Sequence, residues 1–278
     1  MKSPGGRLLK GAQSVFKMMV RATEMSHLKY SATDLAGLLR VLLLRSGKET
    51  RLLDYRVAFL DLGSFKIVVW DVFIKGEYYF VTDNDAPVIL DCGANIGLAT
   101  LFFKRWYPRA RIKSFEADPT TAETLRSNVR NNGLEDVVVH NLLLSDQVGE
   151  GTFYVSADVA GSLQMSTTRE RFSTAAREIK VQSGRLSDFI DGPIDFLKLD
   201  IEGAEFAVMH DLVESGKIAQ ISRMVIEYHH KMGAQPSHMA SFLSILEAAG
   251  FEYQIHARCE PITSEDLFQD IMIGAYRP

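Results

Sequence analysis

Beyond Pro87, short apolar runs alternate with segments of helical spacing. The apolar runs "VIL", "RIKSF", "VVVHNLLL", "DFLKLD" and "RMVIEYH" predict strands, and the intervening pattern predicts helices over 97–107, 119–132, 203–214 and 237–249. Strands that alternate with helices require crossover connections, which favour a parallel sheet covered on both faces. The expected fold class is therefore α/β, with a mostly parallel, doubly wound sheet.

The first third of the chain has a different pattern of apolar and polar residues. Residues 7–47 show helical periodicity, with Gly47 as the predicted stop. Between Tyr55 and Val81, the runs "RVAFLDL" and "FKIVVWDVFI" predict short strands. We therefore expect an N-terminal helical segment (1–55), a β-rich cap or lid (56–84) and a main domain (85–278).

Two further strands and one excursion complete the predicted organisation. "GTFYV" and the terminal "DIMIGAYRP" have strand character, and the second is predicted to be an antiparallel edge strand. Residues 156–183 interrupt the alternation, and their charged stretch "TTRERFSTAAREIK" predicts an excursion that contains a helix.

Composition narrows the class of protein. The 278 residues are 46% hydrophobic and 24% charged, which is typical of a globular chain with a large core. The formal charge of −4 argues against nucleic acid as a partner. Only Cys92 and Cys259 are present, too few for a disulfide framework, so we expect a cytoplasmic protein.

The first 30 residues are locally basic and leave two interpretations open. With "SVFKMMV" they could form an amphipathic helix, giving weak peripheral membrane contact through residues 1–45. The alternative, a helix that packs on its own domain or a frayed arm, is favoured.

The stretch "VILDCGANIGLAT" carries the first chemical signal. A predicted strand ends at Asp91, and glycines at 93 and 97 precede the next helix. Glycines at the carboxyl end of a parallel strand let the backbone approach a ligand closely. The dinucleotide pattern G-x-G-x-x-G fails here, because Asn95 and Leu98 stand where further glycines belong. The turn therefore suits a smaller ligand that carries a carboxylate and an amine.

Glu116 supplies the second signal. It ends the next predicted strand, where a carboxylate can accept hydrogen bonds from both hydroxyls of a ribose. A ligand with a ribose but no diphosphate is indicated, and S-adenosyl-L-methionine meets that description.

Six segments in order, "VILDCGANIGLAT", "FEADP", "LRSNVRNNG", "LLLSDQVG", "LKLDIEGAE" and "MVIEYHH", resemble the FkbM-type family of S-adenosylmethionine-dependent methyltransferases. The resemblance covers roughly 67–275 and implies a Rossmann-like class I methyltransferase fold. It also implies O-methylation of a hydroxyl on a small molecule, sugar or glycan acceptor. "FEADP" departs from the family's usual Glu-Pro-x-Pro but keeps Glu116.

The resemblance also implies a set of cofactor-binding residues. The residues around the glycine turn would shape the pocket for the methionine moiety, and Glu116 would hold the ribose. Residues that follow the second and third strands would flank the adenine, and Glu77 and Tyr78 would form a lid over the cofactor. The set is Glu77, Tyr78, Asp91, Gly93, Ala94, Asn95, Gly97, Glu116, Ala117, Leu143, Ser145 and Asp200.

Proton removal from a hydroxyl needs a positioned base. Asp200 ends the fourth strand of the main domain, and Glu227 and His229 share one face at the end of the fifth. His229 is the predicted general base, with Asp200 and Glu227 as further catalytic candidates. Lys198 is expected to reach a carboxylate, Glu227.

Two alternatives accompany this prediction. The cluster of Asp200, Glu227 and His229 could bind a divalent ion, but its spacing is not diagnostic, so no metal is predicted. The chain could also be a catalytically inactive S-adenosylmethionine-binding interaction protein.

Overall fold

The computed structural model describes residues 14–23, 28–156, 165–167, 169, 176–232, 238–257 and 268–278. The helices are α1 (14–23), α2 (Ala32–Leu42), α3 (Leu62–Val68), α4 (Leu98–Trp106), α5 (Pro119–Asn131), α6 (Glu205–Glu214) and α7 (Met239–Ala248). A π-helix (Val69–Lys75) and two 3₁₀ turns (Leu186–Phe189 and Lys217–Gln220) accompany them.

The strands fall into three sheets. They are β1 (Glu49–Leu52), β2 (Tyr55–Ala58), β3 (Val88–Cys92), β4 (Arg111–Glu116), β5 (Val137–Asn141), β6 (Leu143–Leu144), β7 (Gly149–Ser156), β8 (Met165–Ser166), β9 (Ala176–Gly184), β10 (Phe196–Leu199), β11 (Arg223–His230), β12 (Glu252–Ala257) and β13 (Gln269–Tyr276). The central sheet has seven strands in the order β12-β13-β11-β10-β3-β4-β5.

The central sheet confirms the α/β prediction. Strands β11, β10, β3, β4 and β5 are parallel, and only β13 and β12 run antiparallel to their neighbours. Alternate side chains of one strand enter two different cores: Ile89 packs with one cluster and Leu90 with the other. Both faces of the sheet are therefore covered, as a doubly wound fold requires.

The strand order reverses between β3 and β10. From β3 the chain continues outward to β4 and β5, then returns to place β10 and β11 on the other side of β3. The carboxyl ends of β3 and β10 thus border the topological switch point, where open parallel sheets form their binding crevice.

The predicted strand "FKIVVWDVFI" is wrong, because this segment is helical. Its β-branched and aromatic residues are typical of strands. However, the carboxylate of Asp61 accepts a 2.6 Å hydrogen bond from the Ser64 N–H and so caps α3. Buried Phe65, Val69 and Val72 then recur at helical spacing. Residues 56–84 therefore form a largely helical cap rather than a β-rich one.

Two other predictions need correction. β13 is antiparallel, as expected, but it lies inside the sheet, because β12 pairs along its outer side and forms the edge. The excursion contributes β8 and most of β9 to a second sheet of order β6-β9-β7-β8, in which 176–183 are strand. The predicted helix falls largely on 168 and 170–175, which lie outside the described residues.

The N-terminal segment shares a core with the main domain. Met19, Leu38 and Phe73 belong to the same cluster as Phe102 and Phe196. Helix α1 packs on its own domain through buried Met19, whereas Phe16 and Met18 are exposed. None of the described helices combines the length and apolar character needed to cross a bilayer.

Two asparagines, Asn128 in α5 and Asn132 at its C-terminal end, bond to the backbone of strand β2 in the way a neighbouring strand would. The amide of Asn128 accepts from the Ala58 N–H (2.8 Å) and donates to the Ala58 carbonyl (3.0 Å). Asn132 makes the same pair of bonds with Arg56, both at 2.8 Å. Asn128 also donates to the carbonyl of Ile96 (2.8 Å), inside the glycine turn. One buried amide therefore ties the cap to the turn.

Replacing Asn128 with alanine should destabilise the protein by about 2–3 kcal/mol, because buried backbone groups of Ala58 and Ile96 lose their partners. Urea denaturation gives the free energy of unfolding. Asn131→Ala is the matched control, since this exposed amide bonds only the Ser127 hydroxyl (3.3 Å). Equal destabilisation by the two substitutions would contradict the docking role of Asn128.

Candidate functional site

The glycine turn after β3 lies directly against the end of β10. A Cβ on Gly93 would come within 1.6 Å of the Asp200 carbonyl oxygen, and the φ of Gly93 is 77°. Asn95 and Gly97 also have positive φ, at 50° and 93°. The backbone N–H groups of Gly93 and Ala94 both donate to the carbonyl of Phe115, at 3.0 and 2.8 Å. Glycine is thus required at position 93, where any side chain would meet backbone.

A cleft of about 290 Å³ opens at this edge of the sheet, with the turn as its floor. Most of the predicted site residues line it together: Glu77, Tyr78, Gly93, Ala94, Asn95, Glu116, Ala117, Leu143, Asp200 and Glu227. The structure therefore gathers residues that are up to one half of the chain apart in sequence.

Three predicted cofactor-binding residues are not among those that line the cleft. Asp91 is fully buried, and its carboxylate accepts a 2.6 Å hydrogen bond from Thr100. Gly97 precedes α4 and packs on Leu125. The hydroxyl of Ser145 donates to Asp146 at 3.1 Å. The predicted contact of these three residues with a cofactor therefore stays a prediction.

The carboxylate of Glu116 is held by the backbone on both oxygens. It accepts from the Asn95 N–H (2.9 Å) and from the Asp118 N–H (2.8 Å) while facing the cleft. Burial raises the pKa of Glu116 to about 7, although these two backbone bonds oppose the shift. The group is thus fixed in place with its remaining acceptor capacity directed at a ligand.

Part of the cleft lining is apolar. Ala117 and Leu143 pack with Phe153 and Met165 of the second sheet, and all four line the cleft. Sequence reasoning missed Phe153 and Met165, because they lie in strands without a motif. Asp71, from the π-helix, was missed for the same reason.

Carboxylates concentrate at the other end of the cleft. Asp200, Glu202, Glu227 and Asp270 all line it. Burial raises the pKa of Glu227 to about 8, and the neighbouring Asp200 adds to the shift. Lys198 does not pair with Glu227 as predicted; its ammonium lies 3.2 Å from Asp200.

His229 lies behind these acids, outside the lining of the cleft. Its ring is buried, with Nδ1 2.7 Å from Glu205 Oε1 and Nε2 3.0 Å from Glu202 Oε2. The prediction of His229 as the base that contacts the acceptor therefore needs correction, because both nitrogens face carboxylates. The alternation of side chains along β11 predicted the face of the sheet on which His229 lies, but it could not predict the residues that His229 contacts.

Comparison with known proteins decides the family. A family model described as the methyltransferase FkbM domain matches residues 91–253. The chain belongs to the FkbM methyltransferase family. The match begins at Asp91, near the end of β3, and includes the glycine turn, Glu116, Asp200 and Glu227. The Rossmann-like methyltransferase fold and the family resemblance are thereby confirmed.

Relatives within this FkbM family are distant in sequence. Methyltransferase sdnD of Sordaria araneosa is 30% identical over 66% of this chain and 80% of its own length. The 31-O-demethyl-FK506 methyltransferase FkbM of Streptomyces tacrolimicus is 26% identical over 70% of this chain and 85% of its own length. A solved structure of methyltransferase FkbM from Methylobacillus flagellatus is similar with a TM-score of 0.47, at 16% identity, covering 88% of this chain and 59% of that one.

Two groups in the FkbM site bring metal-type donor atoms together. The atoms of Asp200, Glu202 and His229 lie within 4.8 Å of one another, as do those of Glu227, His229 and Asp270. The absence of a metal requirement stays a prediction, and chelation tests it below.

Replacing Glu227 with glutamine should stabilise the fold increasingly as pH rises. An unfolded glutamate ionises near its ordinary pKa of 4.5, whereas Glu227 keeps its proton to about pH 8. Between these values the unfolded state alone loses the proton, so wild-type stability falls, and the glutamine variant lacks that loss. Thermal unfolding at about pH 5 and about pH 8.5 measures the difference.

The control is Glu252→Gln, an exposed glutamate on β12 of the same sheet. The ionisation of Glu116 changes the stability of the wild type and of both variants by the same amount, so it cancels in the comparison. If Glu227→Gln changes the thermal stability by the same amount at both pH values, Glu227 ionises normally in the folded protein.

Proposed function

We propose that this chain is an S-adenosylmethionine-dependent O-methyltransferase acting on a hydroxyl of a small molecule, sugar or glycan. The observation that carries the proposal is one cleft that joins a fixed carboxylate, Glu116, to a group of acids across the glycine turn. The printed name of the Streptomyces tacrolimicus relative, which refers to an O-demethyl compound, supports the hydroxyl acceptor.

The residues present fit this cofactor. The turn at Gly93 lets a ligand approach backbone, Glu116 suits the two hydroxyls of a ribose, and the wall of Leu143, Phe153 and Met165 suits an adenine ring. The cleft is lined by no arginine and only one lysine, Lys198, among the described residues, and that lysine contacts carbonyls and carboxylates. A diphosphate therefore lacks a cationic partner there.

When bound, S-adenosylmethionine supplies a methyl group already activated on its sulfonium. The chain must hold the acceptor oxygen in line and accept its proton. We assign proton acceptance to Glu227, because its carboxyl faces the cleft and, once ionised, a carboxylate whose pKa is raised to about 8 is a stronger base than an ordinary glutamate. Asp200 is tied to Lys198, and His229 positions Glu202 from behind.

Isothermal calorimetry should show that S-adenosylhomocysteine binds the wild-type protein and that NAD does not. Glu116→Gln should weaken this binding at least about tenfold, because a charge-assisted contact contributes about 1.5–3 kcal/mol. Glu123→Gln, an exposed glutamate on α5, is the control. Circular dichroism confirms that each variant is folded; unchanged affinity in folded Glu116→Gln would refute the ribose assignment.

Replacing Glu227 with glutamine should reduce methyl transfer by about 10²–10⁴-fold, the usual contribution of a general base. Transfer of labelled methyl from the cofactor to an extract of the source organism provides the assay. Wild-type turnover should rise with pH to a midpoint at or below about 8, because only the ionised carboxylate accepts a proton and the bound sulfonium favours ionisation.

Glu252→Gln again serves as the control. If Glu227→Gln stays active while His229→Asn does not, the histidine is the base after all. Chelation should leave turnover unchanged. Loss of activity that returns on adding magnesium would make the acids metal ligands instead.

A further inference from the structure

Lys198 is a charge placed inside an otherwise apolar strand. It lies in β10 between Leu197 and Leu199, and only 3% of its surface is exposed. An ammonium is rarely buried unless it is paired, because desolvation disfavours the charge. Its neighbours must therefore compensate for the lost water.

The ammonium is surrounded by acceptors from both strand ends at the switch point. It donates to the carbonyls of Gly93 (2.8 Å) and Cys92 (3.2 Å) and lies 3.2 Å from Asp200 Oδ2. Asp91 Oδ1 is 3.7 Å away. The ring of Tyr78 covers the same ammonium at 5.4 Å from Nζ to the ring centre.

These contacts add side-chain bonds between two parts of the site that the backbone already brings together, since the Asp200 N–H donates to the Cys92 carbonyl (3.1 Å). Gly93 and Asp91 belong to the glycine turn and the strand that leads into it, whereas Asp200 belongs to the acid group. Lys198 is also the one lysine or arginine that lines the cleft among the described residues. Removing its charge would leave two carboxylates and two carbonyls without a common donor.

The ammonium stays charged at neutral pH. Burial by itself lowers its pKa, but Asp200 and Asp91 outweigh burial and raise the pKa above its ordinary value. The cross-link between the strand ends therefore does not depend on pH in the neutral range.

We propose that Lys198 is a positioning residue: its ammonium fixes the glycine turn against Asp200 and thereby sets the affinity for the cofactor. The inference rests on the proposed function, since the ligand used to measure it is S-adenosylhomocysteine. Without the ammonium, the turn occupies its binding-competent conformation only part of the time, and apparent affinity falls by that fraction.

The test uses calorimetry of S-adenosylhomocysteine with Lys198→Ala, which removes a propylammonium-sized group beside the open cleft. We expect affinity to fall at least about tenfold and to recover when propylammonium chloride is added, because the free amine can occupy the vacated space. Propanol, similar in size but uncharged, should not restore binding. A purely structural role in packing would respond to both additives alike.

Lys104→Ala is the matched control: it is also a buried lysine that donates to a carbonyl, that of Ala110 (3.0 Å), but it lies outside the cleft. If Lys198→Ala does not fold, Lys198→Met keeps the length without the charge and should lose the same affinity. Wild-type protein that fails to bind would reject the proposed function. Wild-type binding together with unchanged affinity in folded Lys198→Ala or Lys198→Met, or equal rescue by propanol, would overturn the role of Lys198.

Discussion

The contact between the Cα of Gly93 and the carbonyl of Asp200 is the constraint on which the site depends. It presses the end of β3 against the end of β10, and the Asp200 N–H donates to the Cys92 carbonyl (3.1 Å) in the same place. Since nothing larger than hydrogen fits at position 93, the turn lies flat across neighbouring strand ends. Its N–H groups then reach Phe115 on β4, so one turn connects three strands.

This close approach explains why so many carboxylates meet in one cleft. The ends of β10 and β11 supply Asp200 and Glu227, and the end of β4 supplies Glu116. Burial raises the pKa of both glutamates, which means that their ionised forms are unfavourable in the unliganded protein. The unliganded fold accommodates these groups by favouring their protonated forms, and a ligand with positive charge would shift them toward ionisation.

The sequence was sufficient to predict the parallel sheet, because buried strands are continuous apolar runs and end in recognisable turns. It also placed Gly93 and Glu116 at strand ends, where the topology brings them together. It failed at Phe65–Ile74, where the cap of Asp61 and burial against the core outweighed strand propensity. β12 was missed because most of its residues are exposed and lack alternation.

Within the site, the errors share one cause. A strand pattern predicts the face of the sheet on which a side chain lies, but not the residue that it contacts. The pairing of His229 with Glu205 and of Lys198 with Asp200 could therefore not be predicted from it. Phe153, Met165 and Asp71 reach the cleft from elements that carry no motif. Long-range packing, rather than local pattern, places these residues.

The cap is as much a part of the cleft as the parallel sheet is. Val68, Asp71, Glu77 and Tyr78 line one side, and all precede β3 in the chain. Their position is fixed through Asn128, which bonds both Ala58 at the start of the cap and Ile96 in the glycine turn. A change in the docking of the cap would therefore move the cleft wall and the turn together. Because Asp200, Glu227 and Glu116 come from the central sheet, variation in the cap can change the shape presented to an acceptor while the groups proposed for cofactor binding and proton removal stay in place.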